Sequence, residues 1–228
     1  MREQDWSIVL EAAARLQRLV PDAVLVGGSA AALHAGHRVS FDDDHVVDHL
    51  LSRFDSVLAA LEDSRGWVTA RVRRPVLILG SLDGVETGVR NLIRTCPLEV
   101  EQVDVPTGTL RVPTLAEITR IKAWLCLVRN ATRDYLDVVA LADRLGRATA
   151  ADVLLTLDEY YEDQRGSGGR RIATQVAKQL AEPSPGDLSD VNLASYRRLQ
   201  PRWQSWTAVA DACQALALAM LDRLAEQP

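Results

Sequence analysis

The chain has 228 residues, 47% of them hydrophobic and 25% charged, with a formal net charge of −5. That balance suits one large or two small globular domains, and the acidity argues against a general nucleic-acid coat while leaving room for a local basic patch. Cys96, Cys126 and Cys213 form no CxxC or disulfide pattern, no leader-like start is present, and no apolar run nears the ~20 residues that span a bilayer, so a reducing cytoplasm without membrane contact is expected.

In chain order, residues 6–19 carry Ile8, Val9, Ala12, Leu16 and Leu19 at helical spacing, and Pro21-Asp22 ends the helix. Residues 23–26 form an apolar run short enough to be a buried strand. Gly27-Gly28-Ser29 follow at once, then an alanine-rich helix to about residue 35. Residues 41–47 read as a second strand despite their charges. Residues 48–61 form an amphipathic helix through Leu50, Leu51, Phe54, Val57, Leu58 and Leu61. Strands are expected at 67–72, 76–79 and 85–89, broken by Pro75 and by the Asp83-Gly84 turn, then a hairpin of 98–105 and 109–112 around Pro106-Thr107-Gly108.

From Pro113 helical periodicity takes over, with helices near 114–129, 131–146, 150–163, 169–181 and 203–226. The glycine segment 166–169, read as a mobile loop, and Pro183-Ser184-Pro185-Gly186 separate them. The expected fold is α+β: a mixed sheet with helices over 1–112 and an all-helical half over 113–228.

The chemistry concentrates in 24–47. Two glycines allow a tight turn and leave no side chain between backbone amides and a ligand. A helix starting there adds unpaired N–H groups and a positive dipole end, which together make an anion cradle. In the strand that follows, Ser40, Asp42 and Asp44 share a face. Paired carboxylates repel unless a cation joins them, and Mg²⁺ favours a few carboxylates plus substrate phosphates. A nucleoside triphosphate with its metals fits both halves of the motif.

This arrangement resembles the nucleotidyltransferase superfamily, with its Gly-Gly/Ser turn followed about a dozen residues later by Asp-x-Asp/Glu. The wording GGSAAALHAGHRVSFDDD is similar to the AbiEii/MenT-type toxin branch, whose Ser-x-Asp-x-Asp falls on Ser40, Asp42 and Asp44. Asp43 and His45 stand where that branch has apolar residues, which leaves the metal pair at Asp42/Asp44 or shifted by one. Pro113-Thr114-Leu115-Ala116-Glu117-Ile118 leading into Lys122, and Arg133-Asp134-Tyr135-Leu136-Asp137-Val138, match two further segments of the branch, so the resemblance covers about 24–146.

The resemblance implies a nucleotidyltransferase-like N-terminal sheet and transfer of an NMP from an NTP. Asp42, Asp44 and a third acid would hold Mg²⁺, the third acid being Glu86 first and Glu99 or Glu101 second. Gly27, Gly28, Ser29, Arg38, Ser40 and Lys122 would bind the nucleotide, with Asp134 or Asp137 at the edge of the site. It also implies a tRNA acceptor, growth inhibition, and a cognate antitoxin that in some relatives is a kinase, with Ser40 as a target. Fold-mates acting on a small molecule such as an aminoglycoside, or on a protein, are the nearest alternatives, and an inactive nucleotide-binding module is the other.

Charges also fall on apolar faces of the later helices. Lys122 lies among Leu115 and Ile118, and Asp134 and Asp137 lie along the Val138–Leu141–Leu145 stripe. Apart from the resemblance, a buried Lys122–Asp134 or Arg133–Asp137 pair explains them. The histidine pairs His34/His37 and His45/His49 lack the third and fourth ligands that zinc needs. Arg197, Arg198 and Arg202 lie together with Tyr196, Trp203 and Trp206, and Arg165, Arg170 and Arg171 flank the glycine segment. Cations interleaved with aromatics suit phosphates and unstacked bases, while the tryptophans alone suit a helix core.

Overall fold

The computed structural model describes residues 3–106, 108–165 and 169–226. Of the glycine segment, residues 166–168 lie outside the described residues, as does Thr107 of the expected Pro106-Thr107-Gly108 turn. The chain divides into two compact units: Met1–Ala30, Val39–Ile93 and Pro97–Thr114 form the first, and Ala31–Arg38, Arg94–Cys96 and Leu115–Pro228 the second.

The elements begin with α1 (Glu3–Leu19), β1 (Val24–Leu25), α2 (Gly27–Ala35), β2 (Asp42–Val47) and α3 (Leu50–Glu62). Then come β3 (Trp67–Arg73), β4 (Leu77–Leu82) and β5 (Val85–Asn91), followed by the hairpin β6 (Val100–Val105) and β7 (Gly108–Pro113). A five-stranded sheet has the order β1-β2-β5-β4-β3, and β6-β7 form a sheet of their own. Among the described residues the β2–β5 pair is parallel and the other ladders are antiparallel.

Side chains alternate across a pleated strand, so the register assigns each residue a face. Ile78, Leu82 and Val89 pack with Leu16 and Val20 of α1 and with Phe54, Leu58 and Leu61 of α3. Asp42, Asp44, Glu86, Gly88, Leu79 and Ser81 belong to the opposite, less covered face. The Gln17 side chain ties α1 to β7: its Nε2 donates to the Arg111 carbonyl and its Oε1 accepts from the Arg111 amide, both at 2.9 Å.

The second unit is helical: α4 (Leu115–Val128), α5 (Thr132–Leu145), α6 (Arg147–Leu155), α7 (Leu157–Tyr160), α8 (Ile172–Ala181) and α9 (Trp206–Glu226). Its core includes Trp124 stacked on Tyr161 at 4.7 Å and Tyr135 edge-on to Trp206 at 5.9 Å. The helix expected over 150–163 breaks at Thr156, whose hydroxyl donates to the Val153 carbonyl and accepts from Arg120 Nε. Two caps come from far along the chain. Asp187 accepts from the Thr132 amide at the start of α5, and Asp158 from the Ile172 amide at the start of α8. Among the described residues no helix is long and apolar enough to cross a membrane.

Candidate functional site

The glycine turn and the acidic strand meet in the first unit. The Val26 amide donates to the Asp44 carbonyl at 2.8 Å, and Ser29 Oγ donates to the Asp42 carbonyl at 2.6 Å. The start of α2 is thus stitched to β2 at the two aspartates. Ser29 is fully buried, so its hydroxyl serves this stitch. Gly27, at φ 69°, opens a nine-residue helix whose first amides have no intrahelical acceptor.

Asp44 sits in a slot that two glycines create. A Cβ on Gly27 would lie 3.3 Å from Asp44 Cβ, and one on Gly88 would lie 2.8 Å from Asp44 Oδ1 and 2.9 Å from Leu79 Cδ2. Glu86 stands directly across the parallel ladder from Asp42, and Gly88 across from Asp44. Arg90 Nε approaches Asp44 Oδ1 at 3.5 Å. Glu86 therefore shares the carboxylate face, whereas Glu101 belongs to the separate two-stranded sheet and Glu99 precedes it. Ser40 is buried and donates its hydroxyl to the Asp42 carboxylate.

Asp43 and His45 occupy the opposite face and are both fully buried. The open-face carboxylates of this strand are accordingly Asp42 and Asp44. Asp43 Oδ1 and His45 Nδ1 are 2.8 Å apart, yet neither group makes an aligned hydrogen bond among the described residues. A buried polar pair so poorly satisfied is often replaced by apolar residues without loss. The Asp43→Val/His45→Val double variant is expected to gain about 1–4 kcal/mol, read as a higher midpoint in thermal unfolding.

Among the described residues no group of three or more His, Cys, Asp or Glu side chains is placed to hold a metal by itself. Mg²⁺ does not require such a cage, since one or two carboxylates plus substrate phosphates suffice. Asp42 and Asp44, with the glycine-lined slot and the α2 amides beside them, fit that mode.

The remaining predicted residues form a second group within the helical unit. Lys122, Asp134 and Asp137 are buried, and Lys122 Nζ lies 2.7 Å from Asp137 and 3.9 Å from Asp134. Asp137 also accepts from Arg38 Nε at 2.9 Å and Nη2 at 3.1 Å, and lies 2.8 Å from His37 Nε2. Burial pushes the Asp137 carboxyl up, but Arg38, Lys122 and His37 together hold it well below its ordinary value. Asp134 instead takes both arms of Arg129.

Of the two bridges expected from the sequence, Lys122–Asp134 is present as a buried 3.9 Å approach, while Lys122 sits closer to Asp137 and Asp134 is paired by Arg129. The Arg133–Asp137 pair is corrected because Arg133 is exposed. His37, considered only as a zinc ligand, is a buried partner of Asp137, and its Nδ1 has no hydrogen-bond partner among the described residues. His49 is exposed.

Three of the arginines singled out in the sequence, Arg165, Arg171 and Arg202, have carboxylate partners. Arg165 and Arg171 both reach Asp158, and Arg202 pairs with Asp143 while lying 4.7 Å over the Trp203 ring. Trp203 itself is core. A cluster unforeseen in the sequence lies nearby: Glu117, fully buried, joins Arg94 and Arg120, with Arg120 3.6 Å over the Tyr160 ring. Burial raises the Glu117 carboxyl despite both guanidinium groups.

No protein-family model matches the chain. The fold is shared with an H. pylori protein whose crystal structure is described as that of a candidate nucleotidyltransferase, with a TM-score of 0.57 and 15% identity, covering 100% of this chain and 99% of that one. The solution structure of the antibiotic-resistance factor ANT(2'')-Ia matches with a TM-score of 0.52 and 13% identity, over 70% of this chain and 96% of that one. The fold is thus nucleotidyltransferase-like.

In sequence, the chain is 32% identical over 238 aligned positions to the heme uptake protein MmpL11 of Mycobacterium tuberculosis, matching 96% of this chain and 23% of that protein. MmpL11 of Mycolicibacterium smegmatis, named a mycolic acid-containing lipids exporter, is 37% identical over 130 positions and 57% of this chain. The chain spans 23% of the length of the M. tuberculosis protein and 13% of that of the M. smegmatis one.

Proposed function

We propose that this chain is a Mg²⁺-dependent nucleotidyltransferase that moves an NMP from an NTP to an RNA acceptor, the 3′ end of tRNA, and acts as a growth-inhibiting toxin with a cognate antitoxin. The observation that carries the transferase reading is the Asp44 slot. A carboxylate wedged between Gly27 and Gly88 lies beside the first amides of α2, with Asp42 and Glu86 on the same sheet face. The nucleotidyltransferase-like fold supports it. The tRNA acceptor and the antitoxin rest on the motif resemblance alone.

In this reading Asp42 and Asp44 hold Mg²⁺, with Glu86 as the adjoining acid, and the amides of Gly27 and Gly28 take phosphate oxygens. The bound ion supplies positive charge that stabilises oxygens at the transferred phosphorus. The acceptor hydroxyl gives up its proton to solvent as its oxygen bonds to the α-phosphorus, the bond from that phosphorus to the oxygen bridging to the β-phosphate breaks, and pyrophosphate leaves with the bonding pair. A kinase antitoxin reaches Ser40 only if the buried segment before β2 opens.

The test incubates protein and Mg²⁺ with each labelled NTP and total tRNA, then locates the label. Label on tRNA with wild type and none with Asp42→Ala is the expected result. The similarity to part of MmpL11 favours a second reading, a nucleotide-binding domain that serves a transport protein without catalysis. Nucleotide binding with no label on RNA, protein or aminoglycoside selects that one.

A further inference from the structure

The carboxylate-bearing face of the sheet does not end at β5. Across the ladders, Asp42 aligns with Glu86, Ser81 and Val68, and Asp44 with Gly88, Leu79 and Arg71. The next row runs Val46, Arg90, Leu77 and Arg73. Arg71 and Arg73 share this face because the β3–β4 register slips between Thr69 and Arg71. Without that bulge at Ala70, strict alternation from Val68 would turn both arginines to the other side.

Arg71, Arg73 and Arg90 are exposed, and among the described residues neither Arg71 nor Arg73 has an ion-pair partner. Arg90 reaches Asp44. Charges on an edge strand also discourage sheet-to-sheet pairing, but either face serves that purpose. Here the bulge aims both at the acidic rows, three strand spacings or about 14 Å from β2. Cations in this position suit a polyanion and repel a polycationic aminoglycoside.

We infer that Arg71, Arg73 and Arg90 form a phosphate-binding subsite for a single-stranded RNA acceptor laid across the open sheet face, with its reactive end at Asp42 and Asp44. The inference rests on the transferase reading in taking that carboxylate row as the reaction centre. Arg71 and Arg73 lie two residues apart on one strand, about 6.6 Å, close to one nucleotide step. Arg90, between them and Asp44, binds the phosphate nearest the reacting end.

Binding of a labelled single-stranded RNA oligonucleotide and of tRNA, followed by fluorescence anisotropy without NTP or Mg²⁺, tests the subsite separately from transfer. Arg71→Ala/Arg73→Ala is expected to weaken both at least tenfold, and to flatten the log K against log salt slope by about 1.4, near 0.7 per lost contact. Arg71→Lys/Arg73→Lys keeps most of the affinity. Arg53→Ala/Arg223→Ala removes the same charge from arginines already paired with Asp22 and Asp152, and binds as wild type. Equal loss in both alanine pairs, no loss in the first, or binding of polyglutamate in preference to RNA overturns the inference. Arginine-dependent RNA binding without nucleotide transfer leaves the subsite standing and removes the transferase reading.

Discussion

Asp137→Ala is expected to lower the stability of the helical unit by about 3–5 kcal/mol, the range for removing one partner of a buried ion pair. Asp137 is fully buried and takes contacts from Lys122, Arg38 and His37. Three cations, Arg38, Lys122 and Arg129, share two carboxylates in this network. Removing Asp137 leaves Lys122 with only the longer approach to Asp134. Urea titration should show a lower midpoint at unchanged slope.

The same residue sets a pH dependence. Its carboxyl is depressed in the folded state, so its contribution is present above the unfolded value of 3.8 and fades as pH falls below it toward the folded value. Wild type should therefore lose stability below about pH 4 more steeply than Asp137→Ala. Parallel acid profiles for the two proteins remove Asp137 as the responsible group.

The elements of the first unit were largely legible because their signals are local. Hydrophobic alternation, the Asp83-Gly84 turn and Pro75 sufficed to mark β3, β4 and β5 before any contact was known. The meeting of the glycine turn with the acidic strand was also readable, since both lie within 24–47. What stayed hidden depends on neighbours far along the chain. Asp187 and Asp158 cap helices from 55 and 14 residues away, and nothing local marks them as caps. Arg129 as the partner of Asp134, and the Arg94–Glu117–Arg120 cluster, follow from helix packing rather than from spacing. The bulge at Ala70 was invisible because WVTARVR alternates well enough to suggest an unbroken pleat, and one inserted residue reverses the face of everything after it.

Asp44→Asn is expected to reduce nucleotide transfer on the order of 10²–10³-fold or more with the fold intact. The amide keeps the shape that fits between Gly27 and Gly88, so unfolding midpoints should stay within about 1 kcal/mol of wild type. What changes is charge: the site loses one of the carboxylates Asp42, Asp44 and Glu86 on its sheet face, and Arg90 loses the anion 3.5 Å away. The two consequences separate in a binding experiment. Affinity for Mg²⁺-loaded nucleotide should fall, whereas affinity for metal-free nucleotide should hold or rise, because Arg90 is released toward phosphate. Gly88→Ala reaches the same atoms by sterics alone. Its methyl would come within 2.8 Å of Asp44 Oδ1 and 2.9 Å of Leu79 Cδ2, so the carboxylate must leave its position while its charge stays. Loss of transfer in both variants assigns the function to where that carboxylate points. Full transfer by Asp44→Asn reduces Asp44 to a surface partner of Arg90 and removes the slot between Gly27 and Gly88 as the reaction centre.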